Sequence, residues 1–153
     1  MEAFKRQFLD STSAAAEAAG HIFPTMAACE AGLESGFGAS RLAIADKNLF
    51  GMKQHKHPIY LTHNLPTNEF LNGEWEVVNA EWITYPDLAA CFADRMATLR
   101  RLAPAKGFEH YAAALAAKDA AVYVTQVSLK WSTDPKRGTK VIDIHNEYIS
   151  IGA

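Results

Sequence analysis

Residues 30–53 read EAGLESGFGASRLAIADKNLFGMK. The stretch places two carboxylates one helical turn apart, Glu30 and Glu34, ahead of Gly36, Gly38 and the segment Asn48 to Lys53. Proline suits the first turn of a helix and glycine takes the left-handed cap conformation cheaply, so a helix is predicted from Pro24 to about Ser35, closed by Gly36. Met26, Cys29, Glu30 and Leu33 fall on one face of it at the i, i+3, i+4, i+7 spacing, with Glu30 as the odd polar member. Glu34 shares an edge with Glu30, and repulsion between the two raises the proton affinity of at least one. The last turn of a helix also disfavours a negative charge. Both effects favour a protonated acid at Glu34, although two glutamates on an arbitrary helix are ordinarily solvated surface charges.

Outward from this stretch, Phe4, Phe8, Ala15 and Ala18 recur at helical spacing, which predicts an amphipathic helix over residues 2–19, ended by Gly20. Residues 39–46 form a short helical piece, and Asn48 to Lys53 a loop that returns towards Glu34. From Pro58 to Tyr85 β-branched and aromatic residues take over, and Asn72-Gly73 between two such runs is a hairpin signal, so a small lobe of two or three strands is expected at about 57–85. Helical patterns resume at Pro86 to Leu102, Phe108 to Ala117 and Ala120 to Lys130. Asp134-Pro135 breaks the chain before a last helix with Val141, Ile142, Ile144, Tyr148 and Ile149. The expected class is α+β, mainly α, as a single domain over residues 1–153.

A chain of 153 residues with 49% hydrophobic content can bury a proper core. The formal net charge of -2 gives no basic field for nucleic acid or for an anionic membrane surface. No run is long enough to span a bilayer, and the opening MEAFKRQFLDSTSAAAEAAG lacks the apolar core of a secretory signal, so neither membrane insertion nor a visible export route is expected. Cys29 and Cys91 lie in helical patterns and read as small buried apolar residues, with a single disulfide as the alternative. His55, His57 and His63 cluster in one region, but without a helix-borne His pair or a Cys partner they read as part of a solvated basic loop with Lys53 and Lys56, one suited to acidic peptide stems. No metal and no cofactor is expected, and the chain is taken as a monomer.

Leu33-Glu34-Ser35-Gly36-Phe37-Gly38 followed by Asn48-Leu49-Phe50-Gly51-Met52-Lys53 resembles glycoside hydrolase family 73, the peptidoglycan endo-β-N-acetylglucosaminidases of autolysin and flagellar type. The resemblance continues in order through Thr67-Asn68-Glu69, Asn72-Gly73, Tyr85, Phe92-Ala93-Asp94 and Thr133-Asp134-Pro135. It implies a lysozyme-like fold, in which a helical lobe and a β lobe flank a glycan cleft, with peptidoglycan glycan strands as the partner and action at the bacterial cell wall or periplasm. The family's acid is the glutamate of Glu-Ser-Gly, which is Glu34, and its second carboxylate matches Glu69. Glu30, Phe37, Asn48, Phe50 and Trp131 are then the candidate substrate-binding residues. Two departures stand out: Trp131 occupies a position where the family usually has tyrosine, and Glu30 one where relatives often carry glutamine.

The chemistry calls for these residue types. Cleaving a glycosidic bond requires a proton for the leaving oxygen, given by a carboxyl that stays protonated in a partly apolar setting, which Leu33, Phe37 and Phe50 are placed to supply. The second carboxylate activates water or attacks directly, or the sugar's own N-acetyl group does so with Glu69 as an auxiliary, and the sequence leaves these routes open. The leading expectation is cleavage after N-acetylglucosamine. The alternatives are a lytic transglycosylase or muramidase on the same glycan, and a weakly catalytic wall-binding or assembly module, the last suggested by Trp131. A phage endolysin, a delivered effector and a trimmed autolysin all suit such a domain.

Overall fold

Local chemistry sets most element boundaries. In this computed structural model, which describes residues 1–55 and 60–152, α1 spans Ala3–Ala18 and α2 spans Pro24–Ser35, with Pro24 in its first turn and Gly36 in the left-handed region at φ 58°. Ser40 caps α3 (Arg41–Asp46) by accepting from the Ala43 N–H, and Asp87 and Asp119 cap α4 (Leu88–Leu102) and α6 (Ala120–Trp131) in the same way. Between them lies α5 (Glu109–Leu115), and α7 (Arg137–Ile151) ends the fold. The helices agree with the sequence reading to within a few residues. Among the described residues no helix is long and apolar enough to cross a membrane.

Strands β1 (Leu61–Leu71) and β2 (Glu74–Thr84) pair antiparallel, with Leu61 opposite Thr84 and Leu71 opposite Glu74. Asn72 and Gly73 form the two-residue turn, both at positive φ (53° and 83°), as the Asn-Gly signal predicts. Lys53 adds an antiparallel bridge to Trp82, which extends the two-stranded sheet by a short third edge. At the hairpin tip Phe70 and Trp75 face each other across the strands and remain largely exposed.

The central element is α2. It is buried all round rather than along one face, because Ala27, Ala28, Ala31 and Gly32 are small enough for its neighbours to approach closely. Met26, Ala28 and Cys29 join a core with Leu9, Leu99, Tyr123, Val124, Val127 and Val141. On its other side Ala27 and Ala31 join a second core with Leu49, Phe50, Ile83, Tyr85 and Phe92, which seats the base of the hairpin. Cys29 and Cys91 are both buried free thiols, pushed up to about 12 by burial, so the disulfide alternative falls away.

Asn48 ties this second core together. Its amide nitrogen donates to the carbonyls of Met52 (2.9 Å) and Ile83 (3.0 Å), and its oxygen accepts from the Met52 N–H (2.9 Å). With the side chain buried and all three bonds made to backbone, Asn48 is a clamp between the loop and β2, and its assignment to the substrate is corrected accordingly. Asn48→Ala removes these bonds, leaving the Met52 carbonyl with only the Ile83 N–H and the Met52 N–H without its Asn48 acceptor, and is expected to cost about 2–4 kcal/mol, from a typical 1–3 kcal/mol for a stranded buried group, read as a lower urea midpoint at unchanged m-value.

Candidate functional site

The turn after α2 is built to hold Glu34. The Ser35 hydroxyl donates to the Ala31 carbonyl (2.6 Å) and accepts from the Gly38 N–H (2.9 Å), so it closes the loop on the helix end. Gly36 and Phe37 both take positive φ, 58° and 55°, which is cheap only for the glycine. The Phe37 ring compensates by packing on Gly32, where a Cβ would lie 2.9 Å from it, and edge-on against Phe8 at 6.0 Å. Phe37 is therefore turned towards α1, with Lys5 over its ring, and its contacts are structural rather than those of a sugar-facing residue.

Glu34 keeps 26% of its side-chain surface in solvent, and Arg137 fixes one of its oxygens through an Nε donor to Oε1 at 2.8 Å. The Arg137 guanidinium is buried and also donates from Nη1 to Ser128 Oγ (2.8 Å) and from Nη2 to Glu30 Oε2 (2.9 Å). Glu30 is fully buried. Arg95 grips it in a fork, Nη1 to Oε1 at 3.2 Å and Nη2 to Oε2 at 2.7 Å, and the Tyr123 hydroxyl donates to Oε1 at 2.5 Å. Burial alone would raise the Glu30 pKa, but Arg95 and then Arg137 outweigh it and hold the group down at about 2. Two sequence expectations are overturned here. Glu30 is an ionised, charge-compensated member of the core, so it cannot touch substrate, and its repulsion of Glu34 is cancelled by two guanidinium groups.

Arg95 lies between two aromatic faces, 4.5 Å from the Phe50 ring centroid and 4.2 Å from that of Trp131. Phe50 is buried beneath this stack, whereas Trp131 is half-buried and meets Tyr111 at 6.2 Å. Trp131 and Tyr111 form one wall of a cavity of about 360 Å³ that also holds His55, Thr98 and Arg101. A second cavity, about 590 Å³, opens between α6 and α7 along Ser128, Thr133 and Thr139. Glu34 lines neither, but it is joined to both: to the second through Arg137 and Ser128, and to the first through Arg137, Glu30, Arg95 and Trp131.

Of the remaining candidates, Glu69 has its backbone in β1 opposite Glu76, while its side chain is outside the described residues. His57 lies outside them as well. His55 and His63 do not converge. His55 Nε2 meets Asp94 Oδ1 at 3.0 Å, and His63 Nδ1 meets the Asp46 carboxylate at 3.2 Å. Each histidine thus has its own buried aspartate, which accounts for both without a metal.

The sequence matches the family described as Glucosaminidase, mannosyl-glycoprotein endo-beta-N-acetylglucosaminidase, over residues 11–150. The chain belongs to this glucosaminidase family. It is 31% identical, over 96% of its length, to a probable N-acetylmuramidase of Lactococcus lactis subsp. cremoris, and 29% identical, over 85%, to an autolysin of Enterococcus faecalis. It spans 33% and 18% of the length of those two relatives. The catalytic domain of the autolysin Auto from Listeria monocytogenes superposes with a TM-score of 0.82 at 24% identity, covering 97% of this chain and 86% of that one, and establishes the lysozyme-like fold. The glycoside hydrolase domain of FlgJ from Salmonella typhimurium does so at 0.71 and 24% identity, covering 95% of this chain and 98% of that one.

As a member of the glucosaminidase family the chain is a glycoside hydrolase domain. Sequence reasoning missed Arg95 and Arg137, the two residues that hold Glu30 and, through Arg137, Glu34. A signal existed: a glutamate on a buried helix face demands a counter-charge, and Arg95 stands one turn from both Cys91 and Leu99 on the buried face of α4.

The cluster makes stability depend on pH. The folded pKa of Glu30 lies below the usual 4.5, so its contribution is complete above pH 4.5 and is lost as pH falls towards about 2. His21 is also depressed, by burial and then by Arg95, from the usual 6.5 to about 4, and the bond from its Nδ1–H to the Ile22 carbonyl (2.6 Å), which works in the opposite direction, does not offset them. That contribution is complete above pH 6.5 and lost as pH falls to about 4. Thermal unfolding between pH 7.5 and 3 is expected to show a fall in Tm in two limbs, of which His21→Gln flattens the upper. Glu30→Gln, which leaves two buried guanidinium groups undercompensated, is expected to lose about 3–5 kcal/mol at neutral pH.

Proposed function

We propose that this domain hydrolyses the β-1,4 bonds that follow N-acetylglucosamine in peptidoglycan strands, with Glu34 as the general acid. The observation that carries this reading is the unequal treatment of the two α2 carboxylates. Glu30 is locked in the core by two arginines, whereas Glu34 has one oxygen fixed by Arg137 and a side chain that remains 26% exposed. A carboxyl group oriented through Oε1 can present a proton on Oε2 to the glycosidic oxygen with little loss of orientation, which is the main requirement on such a donor. Family membership and the autolysin name of one relative support the substrate.

Glu69 in β1 is the proposed second carboxylate, acting either on water or alongside the acetamido group of the sugar. Trp131 offers an indole face and edge for sugar stacking but no acceptor oxygen, and Tyr111 beside it brings a phenol to the same wall. The two together replace what a tyrosine at position 131 would supply alone.

A muramidase specificity is the second reading, favoured by the name of the Lactococcus lactis relative. Mass spectrometry of borohydride-reduced digests separates them. Reduced N-acetylglucosamine ends are expected, reduced N-acetylmuramic acid ends would move the specificity to the muramidase reading, and anhydromuramic ends would exclude hydrolysis by this route. Glu34→Gln is expected to lower kcat by about 10²–10⁴-fold, the range for loss of a positioned acid, with a stability change within about 1 kcal/mol because the pair it breaks is partly exposed. Wall clearing that survives the substitution would remove Glu34 from the acid role.

A further inference from the structure

The hairpin ends in an apolar strip that no described residue covers. Residues directly opposite each other in an antiparallel pair share a face, and successive residues along a strand alternate between faces. The register therefore puts Phe70 with Trp75, Asn68 with Val77, and Pro66 with Asn79 on one face, in rows that run from the turn towards the base. Rows on one face are about 7 Å apart, so the strip is about 14 Å long. Phe70 is 59% exposed, Trp75 74% and Val77 72%, and the Asn68 and Asn79 side chains stand exposed beside them. The two rings meet at 5.4 Å between centroids and 59° between planes. The reverse face carries Glu74 and Glu76, and nearer the base Trp82, which lies against Gly51 and Lys53 of the cavity beside Trp131. The aromatic strip is thus turned away from that cavity.

A tryptophan and a phenylalanine side by side in water form a surface whose burial against a partner is favourable. The charge and the polar groups of the hairpin select that partner. Residues 61–84 hold Glu69, Glu74, Glu76 and Glu81 and no lysine or arginine. Such a hairpin repels anionic lipid headgroups and nucleic acid, and two copies brought face to face would set acid against acid within a Debye length, about 8 Å. A neutral partner with apolar faces and amide groups is what the strip complements. Its rings take the apolar faces, and the Asn68 and Asn79 amides each offer two donors and an acceptor. N-acetylated pyranoses in a β-1,4 chain have this chemistry, with C–H groups on the ring face and an acetamido group at its edge. The same glutamates turn away the carboxylates of peptide stems, so the strip receives the glycan.

We infer that the outer face of the hairpin tip is a second glycan-binding platform, separate from the cleavage site, which holds the domain on N-acetylated strands of the wall by stacking on Trp75 and Phe70. The choice of polymer rests on the peptidoglycan reading above, whereas the platform rests on the exposed strip itself.

Its test reads polymer binding and cleavage of short substrate separately. Glu34→Gln protein, alone and with Trp75→Ala or Trp75→Tyr, is checked for folding by circular dichroism and co-sedimented with purified sacculi and with chitin, a neutral β-1,4 polymer of N-acetylglucosamine. Trp75→Ala is expected to raise Kd at least about tenfold on both polymers, and Trp75→Tyr, which keeps a stacking ring, less than about threefold. Binding is expected to change less than about twofold between about 0.1 M and about 1 M salt, because no ion pair contributes. In the chain that retains Glu34, Trp75→Ala is expected to leave kcat/KM on a soluble tetrasaccharide fragment within about twofold.

Equal sedimentation with and without Trp75 would overturn the inference. So would Trp75-dependent binding to sacculi but not to chitin, which would put the contact on the peptide stems, and a loss of kcat/KM on the tetrasaccharide as large as the loss of polymer binding, which would make Trp75 part of the cleavage site. Phosphatidylglycerol vesicles that sediment the protein through Trp75, or a Trp75-dependent dimer in analytical ultracentrifugation, would replace the glycan by a membrane or a second copy and overturn it too. Cleavage of sacculi by the wild-type chain, with binding unimpaired by Trp75→Ala, defeats this inference alone. Trp75-dependent binding to both polymers without cleavage of sacculi defeats only the hydrolase reading.

Discussion

The structure depends on a buried carboxylate that cannot be left alone. Glu30 sits at the centre of α2 with no exposed surface, and an isolated charge there would be prohibitively unfavourable. Arg95 from α4, Arg137 from α7 and Tyr123 from α6 converge on it, so a single electrostatic requirement fixes how three helices meet the central one. Counting Glu34, the cluster joins two acidic side chains and two guanidinium groups in one connected network. Arg137 shows the economy of the arrangement: each of its three nitrogens has a different partner, and one of those is the proposed acid. The geometry of Glu34 is thus inherited from the core rather than set by the surface loop that carries it.

What was legible in the sequence follows the range of the interactions involved. The ends of α2 and the Asn72-Gly73 turn were readable because a proline, a glycine cap and a two-residue hairpin loop act on their immediate neighbours. The motif around Glu34 was readable as a family pattern, and its physical basis is also local, in the bonds from Ser35 to Ala31 and Gly38. The state of Glu30 was not, since its partners are 65 and 107 residues away and the short-range rule, two glutamates one turn apart, points to repulsion. Asn48 misled for the same reason. An asparagine ahead of a glycine-containing loop looks available to a ligand until Ile83, 35 residues on, takes its amide. Phe37 was read as aromatic cover for the acid, yet its positive φ directs the ring onto Gly32 and Phe8.

The β lobe is attached by a second, separate set of buried acids. Asp46 at the end of α3 accepts from Thr84 and His63, and its backbone carbonyl accepts from the Tyr85 N–H. Asp94 in α4 accepts from Tyr85 and His55. With Asn48 bonded to Ile83, these contacts all gather at the base of the hairpin, while Phe70 and Trp75 at its tip stand exposed. The strand that carries Glu69 is therefore anchored at the end near the helical lobe and extends outward as a lever. Its distance from Glu34 is set by side chains at the base, above all Asp46, Asp94 and Tyr85, rather than by contacts along its length.

Glu30 and Trp131, the two residues read from the sequence as departures from the family pattern, are physically linked through Arg95. An acid at position 30 requires a buried cation, and a buried guanidinium with an unpartnered Nε is best accommodated between aromatic faces. Indole is the strongest such face among the side chains, so Trp131 stabilises the charge that Glu30 demands while its free edge still lines the cavity. A tyrosine at 131 would offer a weaker face to Arg95, and a glutamine at 30 would leave two guanidinium groups to share a neutral amide. Each departure makes the other favourable, and the cost falls on the hydroxyl that position 131 no longer supplies. Tyr111, held 6.2 Å from Trp131 in the same wall, stands where that loss can be made good. The chemistry of the cleft and the electrostatics of the core are in this way a single problem, solved with one arginine between them.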